Sequence, residues 1–344
     1  MKKLTGIIVA LVVALTGGAL MLTGCGGGSE SAEPEVIVNP ITGEECDEEL
    51  PARPIQVSID NVGEAIPQSN ISYADIVYEF PVEGEQTRLQ AIFYGDIPEI
   101  FGPIRSVRPY FVDLADMYST IYVAHGWSGT AKKKLQNGSL PYINAMENDA
   151  DFYRVSDKAA PHNSYIEWDK VKEIIDENGW WDEKASFRGF KFKGDESEAA
   201  AESETADSES ETEAVEPEKC DKVSFVYKGS ACEFTYDPET DLYTRTVKGA
   251  PYIDKETGEN VTVSNILVQK VTSEVLDEKG RLSIDLMAGG DAMLFTGGEV
   301  ITGTWTQKNL HNTTIFKDEN GKKFRLTKGK SWVEVTDQTC TISY

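Results

Sequence analysis

FGPIRSVRPYFVDLA, residues 101–115, changes character at its middle. The first half carries Arg105 and Arg108 around Ser106 and Val107. The second half opens with Pro109 and repeats apolar residues at Phe111, Leu114, Ala115 and Tyr118, the spacing of one helix face. Proline suits the first helical position, where an N–H would have no partner in any case. The stretch therefore reads as a loop, a helix start and a helix over Pro109 to Tyr118. A helix start presents free N–H groups and a partial positive charge, and two guanidiniums beside it suggest an anion pocket. The competing arrangement pairs both arginines with the chain's own carboxylates, at Asp113, Asp116 or Asp60.

Strand patterns flank this helix. Arg53 to Ile59 alternates apolar and polar residues before Asp60-Asn61, and Asp75 to Phe80 and Arg88 to Tyr94 read as two further strands. Downstream, Thr120 to Ala124 is a fourth strand ending in His125-Gly126-Trp127-Ser128-Gly129. Thr130 to Gln136 is a short helix closed by Asn137-Gly138. Ser164 to Glu167 fits a capping box opening a helix with Val171, Ile174 and Ile175 inward and Asn178-Gly179 as its stop. Polar residues follow these strands: Asp60, Asn61, Glu79, Glu83, Asp96, His125 and Ser128. In open α/β sheets ligands bind beyond the strand C-termini. Parallel strands would gather these residues around Arg105 and Arg108, whereas antiparallel strands would split them between two edges.

Past residue 219 the texture becomes a succession of short β-rich runs separated by glycine turns, the pattern of a β domain. Trp305 and Trp332 read as its core. A hairpin of Val223–Tyr227 with Ala231–Tyr236 would place Cys232 opposite Val226 and away from Cys220. The fold class is α+β, an N-terminal mixed α/β domain followed by a smaller, mainly β C-terminal domain. The expected boundaries are a lipoprotein signal peptide at 1–24, a tether at 25–50, the α/β domain at 51–192, an acidic disordered linker at 193–219 and the β domain at 220–344.

The N-terminus and the charge set the location. Lys2 and Lys3 precede a short apolar run, and Leu22-Thr23-Gly24-Cys25 follows, a secretory signal closing in a bacterial lipobox. Cys25 is thus the expected lipidation site, and the mature protein is expected on the extracytoplasmic face of the cell membrane. A net charge of −25 argues against nucleic acid, which needs a basic surface. Asp195 to Glu218 holds eleven acidic residues and no basic one, too little apolar surface to fold. Cys46, Cys220, Cys232 and Cys340 remain for disulfides, whose pairing stays open among three arrangements. With no CxxC and three histidines far apart in sequence, neither a metal nor another cofactor is expected.

Arg53–Asn61, Pro67–Phe93, Gly102–Ala115, Pro161-His162-Asn163-Ser164 and the late GTWTQ and GKSWVEV segments together resemble the YerB-like lipoproteins, two-domain proteins of Gram-positive envelopes. The resemblance implies an N-terminal α/β-type domain and a smaller C-terminal one, and it carries no activity with it. The residues themselves favour binding of an anionic or hydroxyl-rich envelope ligand, such as a cell-wall fragment, through Asp60, Arg105, Ser106, Arg108, His125, Arg154, His162 and Asn163. A hydrolase would use His125 or His162 as base with Asp60, and Ser128 as nucleophile, although Gly126 to Thr130 lacks the last glycine of a nucleophile elbow. A third reading is a lipoprotein that docks another envelope protein.

The acidic run supports a direct expectation. Limited proteolysis of the intact protein should cut first within Asp195 to Glu218, whereas protection of this stretch from hydrogen exchange would contradict the disorder read from its composition.

Overall fold

The computed structural model describes residues 36–195 and 217–344. The lipobox with Cys25 and residues 196–216 of the acidic run lie outside the described residues. The N-terminal elements are Ile55–Asp60 (β1), Ile76–Pro81 (β2), Thr87–Phe93 (β3), Pro109–Tyr118 (α1), Ile121–Ala124 (β4), Gly129–Asn137 (α2) and Tyr142–Asn144 (β5). Helix α1 has the bounds that its proline and apolar spacing predict. Ser119, left-handed at φ 52°, closes it by donating its N–H to Ala115 O and Asp116 O. Every residue of β1 to β4 is buried, so the polar members of the alternation must bond within the core. Gln56 Nε2 donates to Gln90 Oε1 at 2.9 Å and to Phe111 O of α1 at 3.1 Å, and Tyr122 OH donates to Gln90 Oε1 at 2.8 Å.

The capping-box expectation fails. Ser164–Glu167 is a strand (β6), not a capping box, and the helix (α3) begins at Trp168 and runs to Asn178, with no side-chain cap at Glu167. Strand β6 pairs with Phe152–Arg154 on one side and Ile100–Phe101 on the other, and Ser164 Oγ is held by His125, so the serine is not free to cap. The predicted stop is present at Gly179, which takes φ 65°.

The C-terminal part contributes Lys222–Val226 (β7), Ala231–Asp237 (β8), Leu242–Val247 (β9), Asn265–Lys270 (β10), Gly290–Thr296 (β11), Glu299–Thr306 (β12) and Ser331–Thr336 (β13). In the β7–β8 hairpin the turn closes between Tyr227 and Ser230, so Val226 faces Ala231 and Cys232 faces Phe225, one residue from the expected register. The four cysteines are free thiols. Trp305 and Trp332 are fully buried, as the sequence predicts.

Strands from both parts build one eleven-stranded sheet, in the order Glu218–Lys219, β12, β11, β10, β13, β2, β3, β1, β4, β5, with Ile315–Asp318 also paired to β12. The joint is the parallel pairing of β13 with β2, from Ser331 opposite Ile76 to Glu334 opposite Glu79. Phe111, Leu114, Ala131 and Leu135 of α1 and α2 pack on one face with Tyr78, Phe80, Val333 and Val335. The other face carries Ile174 and Ile175 of α3 and the apolar side of a six-stranded antiparallel sheet that contains β7, β8 and β9, including Phe225, Phe234 and Tyr243. Residues Val36–Tyr344 make one unit by their contacts.

Candidate functional site

Strand direction determines which polar ends meet. β1 is parallel to β4, β4 to β5, and both β1 and β2 are antiparallel to β3. The C-terminal ends of β1, β2, β4 and β5 therefore share one edge of the sheet. Asp60, Asn61, Glu79, Glu83 and His125 lie toward that edge. Asp96 follows β3, which runs the other way, and lies at the opposite edge, so it drops out of the expected constellation.

Asp60 is the centre of this edge. It is 1% exposed, and its Oδ2 accepts a hydrogen bond from His162 Nδ1 at 2.7 Å while Arg105 Nε stands 3.1 Å from the same oxygen. Arg105 and His162 each keep about a fifth of their side-chain surface open to solvent. Arg88, the register partner of Asp60 on β3, lies beneath them and donates from Nη1 to Ser106 O at 2.7 Å. Its burial, with the repulsion of Arg105, pushes its guanidinium down to about 10. Gln68 Nε2 donates to Asp60 O at 2.8 Å, and Lys158 Nζ donates to Ala65 O and, at 2.7 Å, to Pro67 O. Burial and Lys255 lower the Lys158 ammonium below its ordinary range.

A second group lies beside the first. His125 N–H bonds to Arg105 O at 3.0 Å, and its Nδ1 meets Ser164 Oγ at 2.6 Å. Burial, followed by the charge of Arg154, lowers the His125 imidazole below its usual value and favours the neutral ring. Gly126 turns at φ +89°, where a Cβ would come within 2.7 Å of Ser106 Oγ, so the His-Gly-Trp turn needs a glycine. Ser106 Oγ donates to His125 O at 3.0 Å, tying the arginine loop to the end of β4.

Other expected residues have structural roles. Arg108 is separated from Arg105. Its Nε donates to Glu83 Oε2 at 2.8 Å, its Nη2 pairs with Glu83 Oε1, and its Nη1 donates to Val107 O at 2.8 Å. The two arginines thus do not share one pocket. Each has an internal carboxylate, Asp60 for Arg105 and Glu83 for Arg108, because the loop sends their side chains to different strand ends. Asn163 staples its loop by donating to Val155 O and Lys158 O and accepting from Arg154 Nη1 at 2.7 Å. Ser128 caps α2 through Ala131 N at 3.2 Å, so its hydroxyl is held by the helix rather than by a histidine. The sequence reading missed Arg88, Lys158 and Ser164. Arg88 had a signal, the one charge in its strand, while Lys158 and Ser164 had none beyond proximity to His162.

One more cluster brings ligand-type atoms together. Glu79, Cys232 and Glu334, all buried, place theirs within 4.8 Å of one another. Arg245 Nη2 already sits 2.7 Å from Glu79 Oε2, and Asn61 and Thr87 occupy Glu79 Oε1, so a guanidinium stands where a cation would. The cluster reads as an ionic seam between sheets, not as a metal centre.

The family model described as the N-terminal domain of a protein of unknown function (DUF3048) matches residues 41–181, and its C-terminal counterpart matches 222–333. Over 298 residues the chain is 34% identical to YerB of Bacillus subtilis (strain 168), a protein whose name classes it as a lipoprotein, across 86% of this chain and 85% of that protein. The crystal structure of YerB from Bacillus subtilis superposes with a TM-score of 0.76 at 31% identity, covering 90% of this chain and all of that one.

The two ion pairs should respond differently to substitution. Asp60→Asn removes the ion-pair partner of the mostly buried Arg105 and the nearby negative charge that the buried Arg88 feels, and should cost about 3–5 kcal/mol. Arg108→Ala leaves Glu83, which is 24% exposed and can turn to water, and should cost about 1 kcal/mol. Urea unfolding of both variants checks this, and equal losses or the reverse order would contradict it.

Proposed function

The chain belongs to the YerB-like family, whose two domains are both of unknown function (DUF3048), and we propose that it is a lipid-anchored envelope protein that binds an anionic or hydroxyl-rich ligand at the Asp60 edge. The reading of an anchor on the extracytoplasmic face is supported by Leu22-Thr23-Gly24-Cys25 and by the lipoprotein name of its relative. The observation that carries the ligand reading is the arrangement of His162 and Arg105 on one buried carboxylate oxygen. Asp60 fixes both groups from below. The Nε2 side of the imidazole and the terminal nitrogens of the guanidinium then face outward. A guanidinium held through Nε keeps its two outer amino groups for a planar oxyanion or paired hydroxyls. The site is polar, which suits a repeating wall-polymer unit better than a bulky apolar ligand.

A second reading has one observation in its favour. A histidine whose Nδ1 is held by a buried carboxylate is half of a general-base assembly. The His162–Asp60 pair has this form at 2.7 Å. It would make the protein a hydrolase of envelope polymers with an activated water in place of a serine, because Ser128 is committed to α2 and Ser164 is 1% exposed.

Thermal-shift titration of the soluble protein lacking residues 1–25 separates these readings, with glycerol-phosphate oligomers and soluble muropeptides as probes. Binding predicts a stabilising shift that Arg105→Gln and His162→Gln abolish, with the probe recovered unchanged. Probe cleavage lost in His162→Gln would favour the hydrolase. A shift unaltered by both substitutions would overturn the site.

A further inference from the structure

Between the two sheets, two carboxylates face one guanidinium. Glu79 on β2 and Glu334 on β13 are register partners on adjacent parallel strands, and both are fully buried. Arg245 of β9, 1% exposed, bonds to Glu79 Oε2 at 2.7 Å and stacks over Tyr252 and Trp332, with its centre 4.2 and 4.5 Å from the ring centroids. Glu79 Oε1 accepts from Asn61 Nδ2 at 3.0 Å and from Thr87 Oγ1 at 2.7 Å. Glu79 is therefore equipped as an anion. Glu334 is not. Its partners are neutral donors, Tyr227 OH at 2.7 Å and Cys232 Sγ at 3.3 Å.

The charges do not balance if both acids are ionised. Among the described residues, the groups facing Glu334 are Glu79 from β2, Arg245 from β9, Cys232 from β8, Tyr227 after β7 and Cys340 after its own strand, with Asp337 and Tyr252 next beyond. Arg245 is the one cation in that set, and Glu79 holds it. A second bare carboxylate there would be an uncompensated buried charge, which folded proteins avoid by keeping the acid protonated. We propose that Glu334 carries a proton in the folded protein at neutral pH and that this proton makes the seam between the two sheets a pH-sensitive latch. The seam is tight while the proton stays and strained once it leaves, because two like charges then share one guanidinium on the strands that join the N- and C-terminal parts.

The local electrostatics agree with this geometry. Burial first, and the charge of Glu79 second, push the Glu334 carboxyl up to about 8, against the pull of Arg245 and the two hydrogen bonds. Burial also raises the Cys232 thiol and the Tyr227 phenol far above their usual ranges, so both remain neutral donors through this interval. The sign follows from the proton count. An unfolded glutamate titrates near 4.3, so between there and about 8 the folded protein holds the extra proton. Stability from this group is full below that interval, declines as pH rises through it and levels off above it.

The test is thermal unfolding of the intact protein at pH 5 to 9, for the parent and for Glu334→Gln. Glutamine keeps the shape and stays neutral, so the parent should lose about 5 °C or more relative to the variant between the two ends of the range. At neutral pH the parent should show the infrared C=O band of a protonated buried carboxyl, and Glu334→Gln should lack it. The variant Cys232→Ser, which alters one hydrogen bond to Glu334, should move that band, and it serves if the glutamine variant does not fold. A parent-to-variant difference constant with pH, a missing band, a band that Cys232→Ser leaves unmoved, or a stoichiometric divalent metal in the purified protein would each overturn the proposal.

Discussion

The Glu79–Arg245 ion pair is the contact on which the arrangement of this molecule depends. Two opposite charges buried at 0% and 1% exposure are tolerable only if the partners stay together and their remaining polar atoms are occupied. Glu79 meets that condition through Asn61 and Thr87, both N-terminal residues. Arg245 meets it only in part: Nη2 is held by Glu79 and the guanidinium is sandwiched against the faces of Tyr252 and Trp332, both C-terminal residues, while Nε and Nη1 make no hydrogen bond. The pair therefore binds two stretches far apart in sequence more specifically than apolar packing would, since any slip between the sheets strands a charge. It does so beside the strands β2 and β13 that carry the large sheet from one part to the other.

The candidate site depends on the same frame. Asn61 donates to Glu79 and follows Asp60 directly, and Tyr252 OH donates to Asn61 Oδ1 at 3.3 Å. The loop after Tyr252 reaches the site from the other side. Asp254 accepts from Asn70 N and Ser72 N, Ser69 Oγ donates to Glu256, and Lys255 Nζ pairs with Asp157 at 2.8 Å. Residues 68–72 and the loop that carries His162 are thus held from the C-terminal part. The site thus combines a fixed point on the sheet, Asp60, with loops braced from the C-terminal part.

Much of this was legible in the sequence, and the failures share a cause. Periodicity and turn chemistry located β1 to β4, the bounds of α1, and the stop of α3 at Gly179, because these are local signals. The capping-box reading of Ser164 to Glu167 failed because neighbouring segments recruit that stretch as a strand, and the β7–β8 register shifted by one residue with the turn. Asp60 and His125 share an edge because β1 and β4, whose directions cannot be read from sequence, are parallel, and the loops that carry Arg105 and His162 bring their side chains to Asp60. Arg108 went elsewhere because Glu83 lies at the end of a different strand. Glu334 and Arg245 left only a faint mark, single charges inside SWVEV and LYTRTV where a covered strand should be apolar. That mark shows burial of a charge without showing its partner.

If the Glu79–Arg245 pair and the β2–β13 ladder join both parts into one cooperative unit, native-state hydrogen exchange is the most direct measurement. The amides of Val77 to Phe80 and of Trp332 to Val335 should open with the same free energy and the same denaturant dependence, as members of one unfolding event. Exchange of one set through a lower-energy opening while the other stays protected would contradict the account, because the two parts would then unfold independently across the seam.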